Sequence, residues 1–241
     1  MIQDFKGKTA VLTGAGSGFG LECARIGAKL GMNLVLVDVQ QDALDKATAE
    51  IEATGAKVLS RRVDVSSNEQ MEALAADVEK TFGAPHFVFN NAGVGSGGLI
   101  WENSVKDWEW VLGVNLWGVI HGVRVFVPLM IEQGGPAHIV NTASMAGLIS
   151  VPYLGAYIVS KHGAVTLSET LYRDLQLAGH SDIGVSVLCP GLVMTNIFES
   201  QRNRPDELAD DGDPRGLSAL LDVGDGGAAT EDALGAFGQI L

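Results

Sequence analysis

The sequence predicts a single α/β domain, a doubly wound parallel sheet with helices on both faces. Three observations carry this. Short runs rich in Val, Ile and Leu recur along the chain, longer amphipathic stretches separate them, and most of the runs are apolar on consecutive positions. Consecutive apolar residues suit strands buried on both faces, as in a parallel sheet. Strand and helix in alternation imply right-handed crossovers.

The strands are expected at 9–14 (TAVLTG), 33–38 (NLVLVD), 57–65 (KVLSRRVDV), 86–93 (HFVFNNAG), 137–144 (AHIVNTAS) and 184–191 (GVSVLCPG). The helical patterns cover 18–30, 41–54, 67–82, 112–131 and 155–178. Nothing between 1 and 200 has the composition of a linker, and there is no internal repeat. Residues 1–198 read as the body of the domain. Residues 199–241, rich in Asp, Gly and Pro, read as a lid and an atypical tail of the same domain. TEDALGAFGQIL (230–241) suits a final helix, started by Thr230, Glu231 and Asp232.

The chain has 241 residues, 46% of them apolar, enough for a packed core. Its formal net charge of −13 repels phosphate backbones and anionic lipid, so neither nucleic acid nor a membrane surface is expected as a partner. The N-terminus has no apolar signal core, and no apolar run approaches the ~20 residues of a membrane span. Cys23 and Cys189 match no metal spacing and read as reduced thiols of a cytoplasmic protein.

VLTGAGSGFGLE (11–22) joins the first strand to the first helix. The G-x-G-x-x-G template fails here, because Phe19 and Leu21 stand where its last glycine should be. The spacing that fits is T-G-x-x-x-G-x-G, from Thr13, Gly14, Gly18 and Gly20. Backbone N–H groups at a helix start attract a pyrophosphate. Gly14 would permit the tight turn, Gly18 the close approach of a ligand, and Gly20 the packing of helix on strand. The same loop could also be a turn without a ligand.

Asp38 ends the second strand, where a carboxylate can accept hydrogen bonds from an adenosine ribose. It would repel a 2′-phosphate, and residues 33–45 contain no Arg or Lys, so NAD is expected rather than NADP. Asp64 ends the third strand. It could meet an adenine amino group or cap the next helix, a task for which Ser66 or Ser67 is better placed.

In AYIVSKHGAVTLSETLYRDL, Tyr157 and Lys161 stand at i and i+4 on one helix face. An ammonium beside a phenol stabilises the phenolate and lowers the tyrosine pKa from its usual ~10. Such a pair can donate a proton to a ketone oxygen or remove one from an alcohol. Ser144 ends the fifth strand, where its hydroxyl can hold the reacting oxygen. Asn115 lies inside a helical pattern that it favours only weakly.

Taken in order, these motifs resemble the short-chain dehydrogenase/reductase family. The matches are T-G-x-x-x-G-x-G at 13–20, NNAG at 90–93, Asn115, Ser144, Y-x-x-x-K at 157–161, and PG at 190–191 followed by Thr195, over about residues 5–198. The resemblance implies a Rossmann fold with Asn115, Ser144, Tyr157 and Lys161 catalytic. Lys161 would also hydrogen-bond the nicotinamide ribose, and Asn115 would hold a water in a proton relay to it. The cofactor-binding set is expected to be Gly14, Ser17, Gly18, Phe19, Asp38, Asp64, Val65, Asn91, Ala92, Gly93, Tyr157, Lys161, Pro190, Gly191, Val193 and Thr195. Thr195 could reach the carboxamide or a phosphate, or could cap a helix.

The expected substrate wall is apolar: Val94, Met145, Ala146, Tyr153, Leu154, Leu192 and Phe198. It has no cation for an acid, so the implied substrate is a neutral secondary alcohol or ketone. The resulting expectation is an NAD-dependent alcohol dehydrogenase or carbonyl reductase. The alternatives are an NADP-dependent reductase and a non-catalytic dinucleotide-binding regulator. The 112–131 and 155–178 helices carry more apolar surface than one sheet face needs, and the resemblance implies a homodimer or homotetramer.

Overall fold

The computed structural model describes residues 2–193 and 195–209. The expected final helix at 230–241 lies outside them. Six parallel strands form one sheet in the order β3-β2-β1-β4-β5-β6. They are β1 (Thr9–Thr13), β2 (Asn33–Asp38), β3 (Val58–Arg62), β4 (Phe87–Asn90), β5 (Ala137–Thr142) and β6 (Ile183–Leu188). The helices are α1 (Gly18–Lys29), α2 (Gln41–Glu52), α3 (Asn68–Phe82), α4 (Val105–Leu112), α5 (Gly118–Gln133) and α6 (Gly155–Leu177). The chain winds outward from β1 to β3 and then crosses to β4 on the other side of β1. That reversal opens a crevice beyond the carboxyl ends of β1 and β4, where α/β sheets bind ligands.

The consecutive apolar residues of the central strands feed two cores. On one face Ala10, Leu12, Leu34 and Leu36 meet Ala24 of α1 and Leu44 and Ile51 of α2. On the other, Val11, Val35, Val37 and Val88 meet Met71 and Val78 of α3, Phe126 and Met130 of α5, and Leu175 of α6. Alternate residues of one strand point to opposite faces, so a strand with helices on both sides must be apolar throughout.

Two elements depart from the sequence expectation. The third strand stops at Arg62, and residues 63–65 turn toward the crevice with Val63 and Val65 buried. The fourth helical pattern begins at Val105 rather than at 112. Ser104 and Asp107 cap it reciprocally, each side chain taking the other's backbone N–H. From there the helix runs through a π-helical segment (Gly113–Trp117) into α5.

Within this 29-residue stretch, Val105–Gln133, an 18-residue window reaches a mean hydropathy of 1.5, enough in length and composition for a membrane span. The expectation that no apolar run approaches that length is thus corrected. In the fold, Val111, Asn115, Val119, Gly122, Phe126 and Met130 are buried, which makes it a core helix.

Candidate active site

A cavity of about 470 Å³ runs from the glycine loop, past the ends of β2, β3 and β4, to Ser144 and Tyr157. Its glycine end is held open by backbone geometry. Gly14 and Gly18 adopt φ of 65° and 53°, the left-handed region that glycine enters without strain. Ser17 stands at the N-terminus of α1, and its side chain caps nothing there. A Cβ on Gly20 would lie 2.1 Å from the Gly14 carbonyl oxygen, so only glycine lets α1 sit this close to the loop. Gly20→Ala should therefore destabilise the fold by about 2–3 kcal/mol, seen as a lower Tm. An unchanged Tm would contradict this packing.

Gly16 ties the loop to the strand end. Its N–H donates to Asp38 Oδ2 at 2.9 Å, and a Cβ there would meet that same oxygen at 2.9 Å. Asp38 Oδ1 accepts from Gln40 N at 2.9 Å. The carboxylate thus ties the loop to the end of β2 while lining the cavity. Asp64 Oδ1 accepts from Ser66 N (2.9 Å) and Ser66 Oγ (2.7 Å), and Ser67 caps α3. Of the alternatives left open for Asp64, the protein alone shows a turn-holding role, with the side chain still at the cavity wall.

Thr13 and Asn91 join the crevice at its base. Thr13 Oγ1 accepts from Asn91 N (2.9 Å) and Ala92 N (3.0 Å), and Asn91 Nδ2 donates to the Thr13 carbonyl (3.0 Å). These bonds tie the start of the glycine loop to NNAG. These observations fit a dinucleotide: a glycine cradle at a helix start, with a carboxylate at the next strand end.

At the other end, α6 presents Tyr157 and Lys161 to the cavity, and Ser144 faces them from the turn after β5. Ser144 Oγ accepts from Ala146 N at 3.1 Å and hydrogen-bonds the Tyr157 phenol. Lys161 is 2% exposed. Its Nζ donates to the Thr142 carbonyl at 3.0 Å and lies 5.5 Å from the Tyr157 ring centroid.

The expected ammonium-driven lowering of the tyrosine pKa is corrected by this burial. Loss of hydration raises the Tyr157 phenol above its ordinary value, and the Ser144 hydrogen bond offsets only part of the rise. Burial likewise pushes Lys161 down to about 8. Both groups are shielded from water, so burial disfavours the charged form of each.

Asn115 is fully buried in the π-helical segment, a helical irregularity frequent at functional sites. Its Oδ1 accepts from Val94 N at 2.8 Å, and its Nδ2 donates to the Val94 carbonyl at 2.8 Å and to Ser160 Oγ at 3.1 Å. Ser160 Oγ in turn donates to the Tyr157 carbonyl at 2.6 Å. The Asn115 side chain thus clamps the strand-end loop to the Tyr157 turn, and a water relay through it would have to use its main chain. The sequence reading missed Ser160, although it sits beside Lys161 within Y-x-x-x-K.

Met145, Ala146, Leu154, Leu192, Phe198 and Val94 line the cavity as expected for a substrate wall, with Ile149, Val151 and Pro152 added. Tyr153 does not line it. It adopts φ 65°, rare for a non-glycine residue, and its carbonyl accepts from Gly98 N at 2.9 Å, bridging two loops beside the site. Phe19, Val65, Ala92, Gly93, Pro190, Gly191, Val193 and Thr195 all reach the cavity. Thr195 Oγ1 accepts from Ile197 N at 3.4 Å, which is the capping role.

The segment 196–209 closes one side of the cavity with Asn203, Pro205 and Leu208. Arg204 anchors it. Its Nη1 donates to Asp107 Oδ1 at 2.6 Å, with both side chains nearly buried, and its guanidinium lies 5.3 Å from the Trp110 ring centre.

The sequence matches the short chain dehydrogenase family over residues 8–206. It is 37% identical over 213 residues to a "CLA biosynthesis dehydrogenase/reductase" of Lactiplantibacillus plantarum, covering 88% of this chain and 74% of that one. It is 38% identical over 205 residues to a "C alpha-dehydrogenase" of Sphingobium sp., covering 85% of this chain and 66% of that one. The fold superposes with a TM-score of 0.88, at 49% identity, on a crystal structure of a short chain dehydrogenase/reductase from Burkholderia phymatum in complex with NAD, covering 99% of this chain and 87% of that one. The cradle, the ordered strand-end motifs and these matches place the chain in the short-chain dehydrogenase/reductase family.

Proposed function

We propose that the protein is an NAD-dependent oxidoreductase of neutral, largely apolar secondary alcohols and the corresponding ketones. One observation carries the reading: Ser144, Tyr157 and Lys161 converge at one end of a cavity whose other end is a glycine cradle closed by Asp38. The solved relative's complex with NAD supports the cofactor, and the dehydrogenase names of the relatives support the reaction class. Bound NAD would accept hydride from the substrate carbon, and NADH would return it. Ser144 would hold the substrate oxygen by a hydrogen bond. The Tyr157 phenol would donate a proton to a ketone oxygen, and the phenolate would take one from an alcohol. Lys161, charged, would stabilise that phenolate and meet the nicotinamide ribose. Ala146, Leu154, Phe198 and their neighbours would exclude water and favour an apolar substrate.

Absorbance at the reduced nicotinamide band, with purified protein and a panel of neutral secondary alcohols, tests the reading. Turnover with NAD is expected, and turnover confined to NADP would overturn it. Asp38→Ala should shift the NAD-to-NADP preference toward NADP by about tenfold or more, because it removes both the hydroxyl acceptor and the repelling charge. An unchanged ratio would remove Asp38 from cofactor choice.

A cytoplasmic setting accords with the two free thiols. We further propose that α6 and the π-helical segment before α5 pair with a second copy of the chain, since Val159, Tyr172 and Leu177 are exposed along α6 and Trp117 is exposed just before α5. Light scattering should give at least a dimer, and a monomer would refute the pairing.

A further inference from the structure

The charge around the cavity poses a problem that the motifs do not solve. A dinucleotide brings a doubly charged pyrophosphate to a chain of net charge −13. The glycine loop contains no cation. Among the described residues lining the cavity, Asp38, Asp64 and Glu109 are acidic, and only Lys161 and Arg202 are basic. Lys161 is buried at the far end against the Thr142 carbonyl. Arg202 remains.

Its position is suited to the phosphates. Arg202 Nη1 donates to the Asn196 carbonyl at 3.4 Å. The residue before Asn196 is Thr195, whose side-chain carbons lie 3.6 Å from where a Cβ on Gly18 would be. The guanidinium is therefore tied to the turn that touches the phosphate cradle, and it lines the same cavity. The backbone that carries it is docked as well, because Gln40 Nε2 donates to Asn203 Oδ1 at 2.6 Å and to the Arg202 carbonyl at 3.4 Å. Gln40 N is itself bonded to Asp38. The lid segment thus already touches the end of β2.

The present ionic partner of Arg202 is weakly held. Nη1 meets Glu199 Oε2 at 3.2 Å, and the Glu199 side chain is 76% exposed. Such a surface pair contributes little. Among the described residues, no hydrogen bond engages Nε or Nη2 of Arg202, which leaves most of the fork for a planar, bidentate partner.

We propose that Arg202 is a phosphate-binding residue, whose guanidinium exchanges Glu199 for the cofactor pyrophosphate and so couples cofactor occupancy to docking of the 196–209 segment. This rests on the dinucleotide reading above. Glu199 is then an internal competitor that occupies the fork until the cofactor arrives.

NADH, NADPH and ADP-ribose titrated into wild type, Arg202→Gln and Glu199→Gln test this by binding alone. Wild type should bind NADH, with an affinity that falls as salt rises. Arg202→Gln should weaken NADH and ADP-ribose by the same factor, about tenfold, and flatten the salt dependence. Glu199→Gln should tighten NADH about two- to threefold, because the competitor is gone. Equal affinity of Arg202→Gln and wild type would overturn the proposal. So would weaker binding by Glu199→Gln, which would make the pair a structural tie of the lid. A loss confined to NADPH would also overturn it, by placing Arg202 on the 2′-phosphate. Failure of wild type to bind any of the three would remove the dinucleotide reading itself, and this proposal with it.

Discussion

Tyr157→Phe is expected to lower kcat about a thousandfold for both alcohol oxidation and ketone reduction, with little change in NADH affinity or Tm. The substitution removes one hydroxyl. Helix α6 stays in place, because the tie from Ser160 reaches the Tyr157 carbonyl rather than its ring. The pH dependence follows from the direction of the shift. Burial raises the phenol pKa, so the phenolate that oxidation needs forms only at alkaline pH in the free enzyme. For wild type, kcat/KM for oxidation should rise with pH through that raised value, and kcat/KM for reduction should fall through it. Steady-state rates in both directions across pH check this. Turnover unaffected by the substitution would remove Tyr157 from the chemistry.

Lys161→Met should separate activity from stability. Loss of the cation beside the phenolate is expected to reduce kcat by at least about a hundredfold. Folding should respond in the opposite sense at neutral pH. Lys161 titrates at about 8 in the fold, against roughly 10.4 in the unfolded chain. Between these values the unfolded chain binds more protons than the folded one, so wild-type stability rises with pH there, and below 8 the buried charge costs about 3 kcal/mol. The variant escapes that cost but leaves the Thr142 carbonyl without its donor, a loss of about 1 kcal/mol. The variant should then be more stable than wild type by about 2 kcal/mol at pH 7, and the difference should vanish or reverse near pH 10. Urea unfolding at the two pH values measures it. A difference that does not change with pH would show that the lysine is not destabilised by burial.

The two variants probe one arrangement from opposite sides. Tyr157 is costly to ionise and Lys161 is costly to keep charged, and the cause is the same removal of water. A site that excludes water strengthens every charge it then pairs. The resting protein thus holds two groups whose charged forms burial disfavours, and in the proposed reaction the substrate oxygen would enter between the phenol and Ser144.

Much of the fold was legible because parallel strands covered on both faces must be apolar at consecutive positions. Runs such as NLVLVD and TAVLTG are visible without any contact information. Strand ends were less legible, since 57–65 continues apolar after the backbone has left the sheet at Arg62. Helix α4 had its own signal in Ser104 and Asp107, a capping pair three residues apart. The site motifs were legible where the chemistry needs a residue type at a fixed local spacing, as with Tyr157 and Lys161 on one helix face. Tyr153 was expected on the cavity wall, but the cavity lining does not include it, and its carbonyl accepts from Gly98 N instead.

The sequence by itself determined the sheet class, the glycine loop and the side chains proposed to react, because each depends on local pattern or backbone freedom. Only the tertiary structure decided their state. It buried Lys161 and so reversed the expected electrostatics, engaged the Asn115 side chain with Val94 and Ser160, and set Arg204 on Asp107. Hydration loss, hydrogen-bond competition and ion pairing depend on residues distant in sequence that meet only when the chain is folded. For example, the Arg204 guanidinium meets an Asp107 carboxylate 97 positions earlier in the chain.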